Sequence, residues 1–173
     1  AQWGANIGAR KITISTSGLA PQIRKLAKET RQYRLAVSLH GATDEIRNKL
    51  MPINKKYPLG ELIAAIEEYQ SLKNGMITLE YILIAGLNDS LNQAHALGEI
   101  AKTLRAKLNL IPYNEVGEFK WERPRQSAQD AFLNKLIKLG VPATLRREKG
   151  HDIDAACGQL RLRTEKELDA NRS

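Results

Sequence analysis

Short apolar or β-branched runs alternate along the chain with longer stretches in which apolar residues recur at helical spacing. Residues 11–15 form the first such run and stop at Thr16-Ser17-Gly18, which predicts a strand leading into a polar turn. Pro21 stands where a helix can start, with Ile23, Leu26 and Ala27 on one face. Residues 35–39 read as a second strand, followed by His40 and Gly41. Thr43 is suited to cap a short helix, with Asp44 and Glu45 at the positive end of its dipole. Residues 51–58 hold two prolines and a basic pair, which predicts a surface loop. Leu59, Leu62, Ile63, Ile66 and Tyr69 then mark an amphipathic helix closed by Gly75.

Residues 76–84 are almost continuously apolar, as expected of a strand covered on both faces in a parallel sheet, and Glu80 is the exception. A turn at 86–90 precedes a helical face of Ala94, Leu97, Ile100, Ala101 and Leu104, and a strand follows at 108–111. Residues 112–124 are irregular and contain Tyr113, Phe119, Trp121 and Arg123; a connection of this length is usually functional or mobile. Ser127 with Asp130 resembles a helix start, Phe132, Leu133, Leu136 and Ile137 face the core, and Gly140 ends that helix. Residues 142–147 supply the last strand.

Strands alternating with helices, without hairpin signals, predict parallel strands joined by crossovers: an α/β barrel or an open α/β sheet. The polar residues Ser15, Ser17, Ser38, His40, Asn88 and Asn114, and the loop holding Cys157, all fall at or beyond the carboxyl ends of strands. In parallel α/β folds the site gathers at that edge. Each residue also has a structural alternative. The serines can close turns, His40 can be a satisfied imidazole, and Asn114 can be a turn former or can read a polar ligand. Glu80 in an apolar strand requires a partner, either a substrate hydroxyl or a structural arginine.

Composition narrows the class. With 173 residues and 42% hydrophobic content, one core of ordinary size is expected. A net charge of +8 favours a polyanionic partner over a neutral one. There is no apolar run of membrane-span length and no start of signal-peptide type, which predicts a protein of no membrane. One cysteine allows no internal disulfide, which fits a cytoplasmic protein. That cysteine, Cys157, follows Asp152, Asp154 and two alanines. A small buried hydrophobe and a reactive thiol are both consistent with this setting.

Several segments together are similar to the radical SAM RNA methyltransferases of the RlmN/Cfr family. They are Asn6 through Gly18, Ser38-Leu39-His40, Met51-Pro52-Ile53-Asn54-Lys55-Lys56-Tyr57, Asn109-Leu110-Ile111-Pro112-Tyr113-Asn114, and Asp152 through Leu160 with Cys157. The resemblance implies a partial (β/α) radical-SAM-type barrel of about five mainly parallel strands with outer helices, over residues 1–160, and a charged tail over 161–173. It implies methylation of an adenine ring carbon, carbon 2 in 23S rRNA and tRNA for the RlmN branch. The route it implies begins with methylation of a cysteine by one S-adenosylmethionine. A second S-adenosylmethionine is then cleaved by a 4Fe-4S cluster to the radical that activates that methyl group. Cys157 matches the methyl carrier, and Ser15, Ser38, Leu39, His40 and Asn114 match positions that bind S-adenosylmethionine.

The family's three-cysteine cluster loop has no counterpart here, so the metal ligands are expected to lie outside this chain and the fragment alone to be inactive. The chain resembles the carboxyl-terminal part of the family's barrel. An exposed sheet edge beside residues 11–15 would then invite pairing with a second copy. Arg123 and Arg125 are expected to contact RNA, with Trp121 either stacking on a base or packed down on the core. The alternative reading is a non-catalytic remnant that binds RNA or a partner.

Overall fold

A computed structural model describes residues 8–114 and 120–146. Five strands form one sheet: β1 (Thr13–Thr16), β2 (Arg34–Ser38), β3 (Ile77–Leu83), β4 (Lys107–Pro112) and β5 (Ala143–Leu145). They pair in sequence order, every pair parallel. The crossovers carry α1 (Ala20–Ala27), α2 (Asp44–Leu50), α3 (Leu59–Leu72), α4 (Leu91–Thr103) and α5 (Gln126–Lys138). Among the described residues β1 and β5 are the two edges, so the expected five parallel strands with helices form one sheet that does not close.

Register explains where the core sits. Leu35 and Ile77, then Val37, Leu79 and Leu108, then Tyr81 and Leu110, line up across the central strands and are all buried. They share one core with Ile23 and Ala27 of α1, Leu62, Ile66 and Tyr69 of α3, Ala94 and Leu97 of α4, and Phe132 and Leu136 of α5. Tyr81 and Phe132 stack at 5.6 Å between ring centroids. Among the described residues the other face of the sheet has no comparable cover. Along β3 buried residues alternate with half-buried ones, and Thr78, Glu80 and Ile82 lie on the less covered side. The expectation that this strand is covered on both faces is therefore corrected. Its alternating Thr78 and Glu80 were the period-2 signal, and Ile82 hid it.

Local chemistry sets the helix ends. The Thr43 side chain accepts a hydrogen bond from the Ile46 N–H at 3.4 Å, as the sequence predicts. Gly140, at φ 76°, follows α5 as a left-handed residue. Two expected ends differ. α5 begins immediately after Arg125, and Ser127 lies inside the helix, because the Arg125 carbonyl already accepts from the Ala128 and Gln129 N–H groups at 2.9 and 3.1 Å. α3 stops at Leu72, before Gly75; Gly75 instead passes so close to the Tyr33 carbonyl that a Cβ would lie 3.0 Å from it.

The segment expected to be a surface loop is partly interior. Pro52–Lys55 form a 3-10 turn in which Asn54 is buried. Asn54 donates to Asp44 Oδ1 at 2.7 Å and Asn48 Oδ1 at 2.8 Å, and accepts from Arg47 at 2.6 Å. The two prolines limit the backbone, and this side-chain lattice turns one residue of the connection inward.

Candidate functional site on the open sheet face

Ser38, Glu80, Asn109 and Thr144 stand in register on four adjacent strands, β2 through β5. Strand alternation puts them on the face opposite Leu79 and Leu110, together with Ser15 at the β1 edge. Ser38, Glu80 and Asn109 are half-buried, and Ser15 and Thr144 are exposed. The Ser38 hydroxyl donates to Glu80 Oε2 at 3.5 Å, the one hydrogen bond of that carboxylate among the described residues. A bond so long leaves most of the accepting capacity of Glu80 available to a ligand. Among the described residues the expected alternative, an arginine partner, does not occur; the buried arginine nearby bonds elsewhere.

That residue is Arg47, which is 0% exposed. Its Nε donates to the Leu39 carbonyl at 3.1 Å, Nη1 to Asn54 Oδ1 at 2.6 Å, and Nη2 to the Ser17 carbonyl at 2.8 Å. Burial lowers its pKa from the ordinary arginine value, and the charge of Asp44 opposes that shift. Arg47 therefore ties the chain leaving β1 to the chain leaving β2. The fit is close: at Gly18, φ 103°, a Cβ would lie 2.5 Å from Nη2.

His40 adopts φ 58° at the end of β2. Its Nδ1 accepts from the Ile82 N–H at 3.2 Å, and its carbonyl accepts from Asn88 Nδ2 at 2.9 Å. Burial, reinforced by the charge of Arg47 and partly offset by the Glu80 backbone carbonyl as an acceptor for the ring, lowers the imidazole pKa to about 4. The ring is neutral at pH 7, with the proton on Nε2. Because the folded pKa lies below the unfolded value of 6.5, His40 contributes stability fully above about pH 6.5. That contribution is lost as pH falls through about 4. Urea unfolding across this range should show wild-type stability falling more steeply than that of His40→Asn, which tolerates the positive φ. Parallel curves would remove His40 as the titrating group.

The remaining expected residues separate into different roles. Leu39 has its side chain in the core, its N–H bonded to the Glu80 carbonyl at 2.9 Å and its own carbonyl held by Arg47. It shapes the edge without offering a side chain to the open face. Asn88 is buried, donating to the His40 and Ile82 carbonyls and accepting from the Ile84 N–H, so it is a structural bracket. Asn114 is exposed and its Oδ1 accepts from Arg123 Nη1 at 3.3 Å, which joins an expected cofactor residue to an expected RNA residue. Arg125 is exposed at the start of α5. Trp121 is half-buried with its ring edge-on to buried Tyr113 at 5.8 Å, and the neighbouring Glu122 carbonyl accepts from the Ala85 N–H. The packed-down reading of Trp121 describes that contact. Cys157 and the segment around it lie outside the described residues.

Arg47 and Asn54 were missed as site-bracing residues. The available signal was the pairing of a polar helix residue with an asparagine between prolines, and it is weak. Among the described residues no group of three His, Cys, Asp or Glu side chains could hold a metal ion. No helix among them is long and apolar enough to cross a membrane.

The protein of Opitutus terrae named "Probable dual-specificity RNA methyltransferase RlmN 3" is 58% identical over 167 residues, covering 96% of this chain and 45% of that one. An Akkermansia muciniphila protein named "Probable dual-specificity RNA methyltransferase RlmN" is 56% identical over 170 residues, covering 98% and 47%. The crystal structure of a radical SAM methyltransferase from Sphaerobacter thermophilus superposes with a TM-score of 0.85 at 45% identity, covering 92% of this chain and 47% of that one. Over nearly its whole length, this chain matches a segment of proteins named RlmN.

The chain spans about half the length of the curated RlmN relatives it matches. No family model matches it. A domain of pyruvate-formate lyase-activating enzyme from Bacteroides vulgatus shares the fold, with a TM-score of 0.63 at 17% identity over 78% of this chain and 80% of that one. The polar row thus lies in a segment similar to the RlmN relatives, on a sheet face that the described helices leave uncovered.

Proposed function

We propose that this chain supplies the S-adenosylmethionine-binding face and the methyl-carrying Cys157 of a cytoplasmic radical SAM methyltransferase. Its substrate would be carbon 2 of an adenine in 23S rRNA and tRNA. The observation that carries this reading is the alignment of nearly the whole chain with relatives named as RNA methyltransferases. The open sheet face supports it, because half-buried Ser38, Glu80 and Asn109 offer a hydroxyl, a carboxylate and an amide side by side. These are the donors and acceptors needed by the ribose hydroxyls, amino group and adenine of S-adenosylmethionine.

Bound S-adenosylmethionine would supply the methyl group. Ser15 and Ser38 would hold it by their hydroxyls, Glu80 would accept from its hydroxyl or amino donors, and Asn114 would fix its outer end. Neutral His40, with its proton on Nε2, would donate without adding charge. The 4Fe-4S cluster does not fit this chain, since one cysteine cannot provide three thiolates. The isolated chain is accordingly proposed to be inactive in methyl transfer. Arg123 and Arg125 would contact RNA phosphate beside Asn114.

Isothermal titration of the chain with S-adenosylmethionine tests the face directly. Wild type should bind, and Glu80→Gln should bind about tenfold more weakly, as expected for loss of a charged hydrogen-bond acceptor. Absence of binding by wild type, or equal affinity of the variant, would overturn the assignment of this face.

A further inference from the structure

We propose that the 3-10 turn between α2 and α3 is a phosphate-contacting rim that presents Lys55 and Lys56 to the RNA backbone. This rests on the RNA reading above and extends it to a surface that neither Arg123 nor Arg125 reaches by chain position. The turn follows β2, and the Arg123 and Arg125 segment follows β4. In an all-parallel sheet both connections leave from the carboxyl ends of their strands, so both border the end at which His40 lies.

The turn is held in place. Asn54, 1% exposed, is fixed by Arg47, Asp44 and Asn48 through its side chain, and by the Met51 carbonyl through its N–H at 2.9 Å. The two lysines that follow it are exposed on a backbone that cannot easily turn them inward. Nearby acids are already engaged. Asp44 Oδ1 accepts from Asn54 and from the Leu59 N–H at 2.8 Å, and Glu45 pairs with Lys49 at 3.1 Å. Among the described residues neither Lys55 nor Lys56 has a carboxylate partner. The Lys56 ammonium stands 5.5 Å from the centroid of the Tyr57 ring, which packs against the core.

Two adjacent unneutralised cations on a rigid turn repel each other, and a polyanion relieves that repulsion by exchanging condensed counterions for the lysines. Because the turn is already ordered, little conformational entropy is lost on contact. A partner recognised only through its backbone charge gives affinity and register and carries no base selectivity.

The experiment is fluorescence anisotropy of the chain with a labelled RNA hairpin bearing an adenosine in its loop, over a salt series. Wild type should bind with affinity that falls linearly in log–log form. Lys55→Gln with Lys56→Gln should weaken binding about tenfold and reduce the slope by about 1.4, two single-strand phosphate contacts. S-adenosylmethionine affinity should be unchanged. Lys25→Gln with Lys28→Gln, an equal charge removal at exposed lysines on and just beyond α1, should leave the slope near wild type. Equal losses in the two double variants would mean diffuse attraction, and an unchanged Lys55/Lys56 variant would mean a solvated pair; either overturns this proposal alone. No salt-dependent RNA binding by wild type overturns the RNA reading, and this proposal with it.

Discussion

Cys157→Ser should reduce RNA methylation to background in an enzyme containing this segment, while S-adenosylmethionine binding and the folded state persist. The exchange replaces one sulfur by oxygen and nearly preserves volume and polarity, so it separates chemistry from packing. In the proposed reaction the methyl group reaches the adenine only after attachment to that sulfur, and an oxygen cannot stabilise the adjacent carbon radical in its place. A cysteine serving only as a small hydrophobe would tolerate serine with a modest stability loss and full turnover. Mass spectrometry of digested RNA for methyladenosine decides the matter. Methylation retained by the serine variant would remove Cys157 as the carrier, whatever the open sheet face binds.

Arg47→Met should be the most damaging single change in the described residues for stability, by about 3–5 kcal/mol. Methionine fills much of the volume but leaves the Ser17 carbonyl and Asn54 Oδ1 without their guanidinium donor at a site that is 0% exposed in the native protein, while the Leu39 carbonyl keeps only the Gly41 N–H at 2.8 Å. Each buried acceptor left without a donor costs about 1–3 kcal/mol. For a chain of this size the melting temperature should fall by roughly 10 °C. Arg47→Lys should be intermediate, since one ammonium cannot reach three acceptors held in a guanidinium fork. Urea denaturation of the three proteins measures this, and a loss below about 1 kcal/mol for the methionine variant would show that water or relaxation replaces the lattice.

Much of the fold was legible because it depends on short-range pattern. The β-branched run before Ser15, the Thr43 cap and the Gly140 stop each record one local requirement, and together they give parallel strands with intervening helices. The position of polar residues at strand ends was equally local. The open face was harder to read: Ile82 made β3 look apolar throughout, and only strand register aligns Glu80 with Ser38 and Asn109. Arg47 was illegible for a different reason. Its burial is decided by acceptors from three separate segments, Ser17, Leu39 and Asn54, so no window of sequence contains the cause. Asn88 shows the reverse error, since a polar residue at the expected edge is used wholly to hold His40 and β3.

Strand order equal to sequence order has a consequence for how the molecule is made. Each strand after the first finds its pairing template already synthesised, so the sheet can grow by addition as the chain leaves the ribosome, without waiting for a distant partner. The longest closure lies between β2 and β3, where two helices and the 3-10 turn intervene. Arg47 bridges the segments before and after the start of that closure, joining the ends of β1 and β2 to the turn, and all of these precede β3 in the chain. Once formed, the guanidinium lattice shortens the effective loop that the third strand must close before Glu80 can join Ser38 in the polar row.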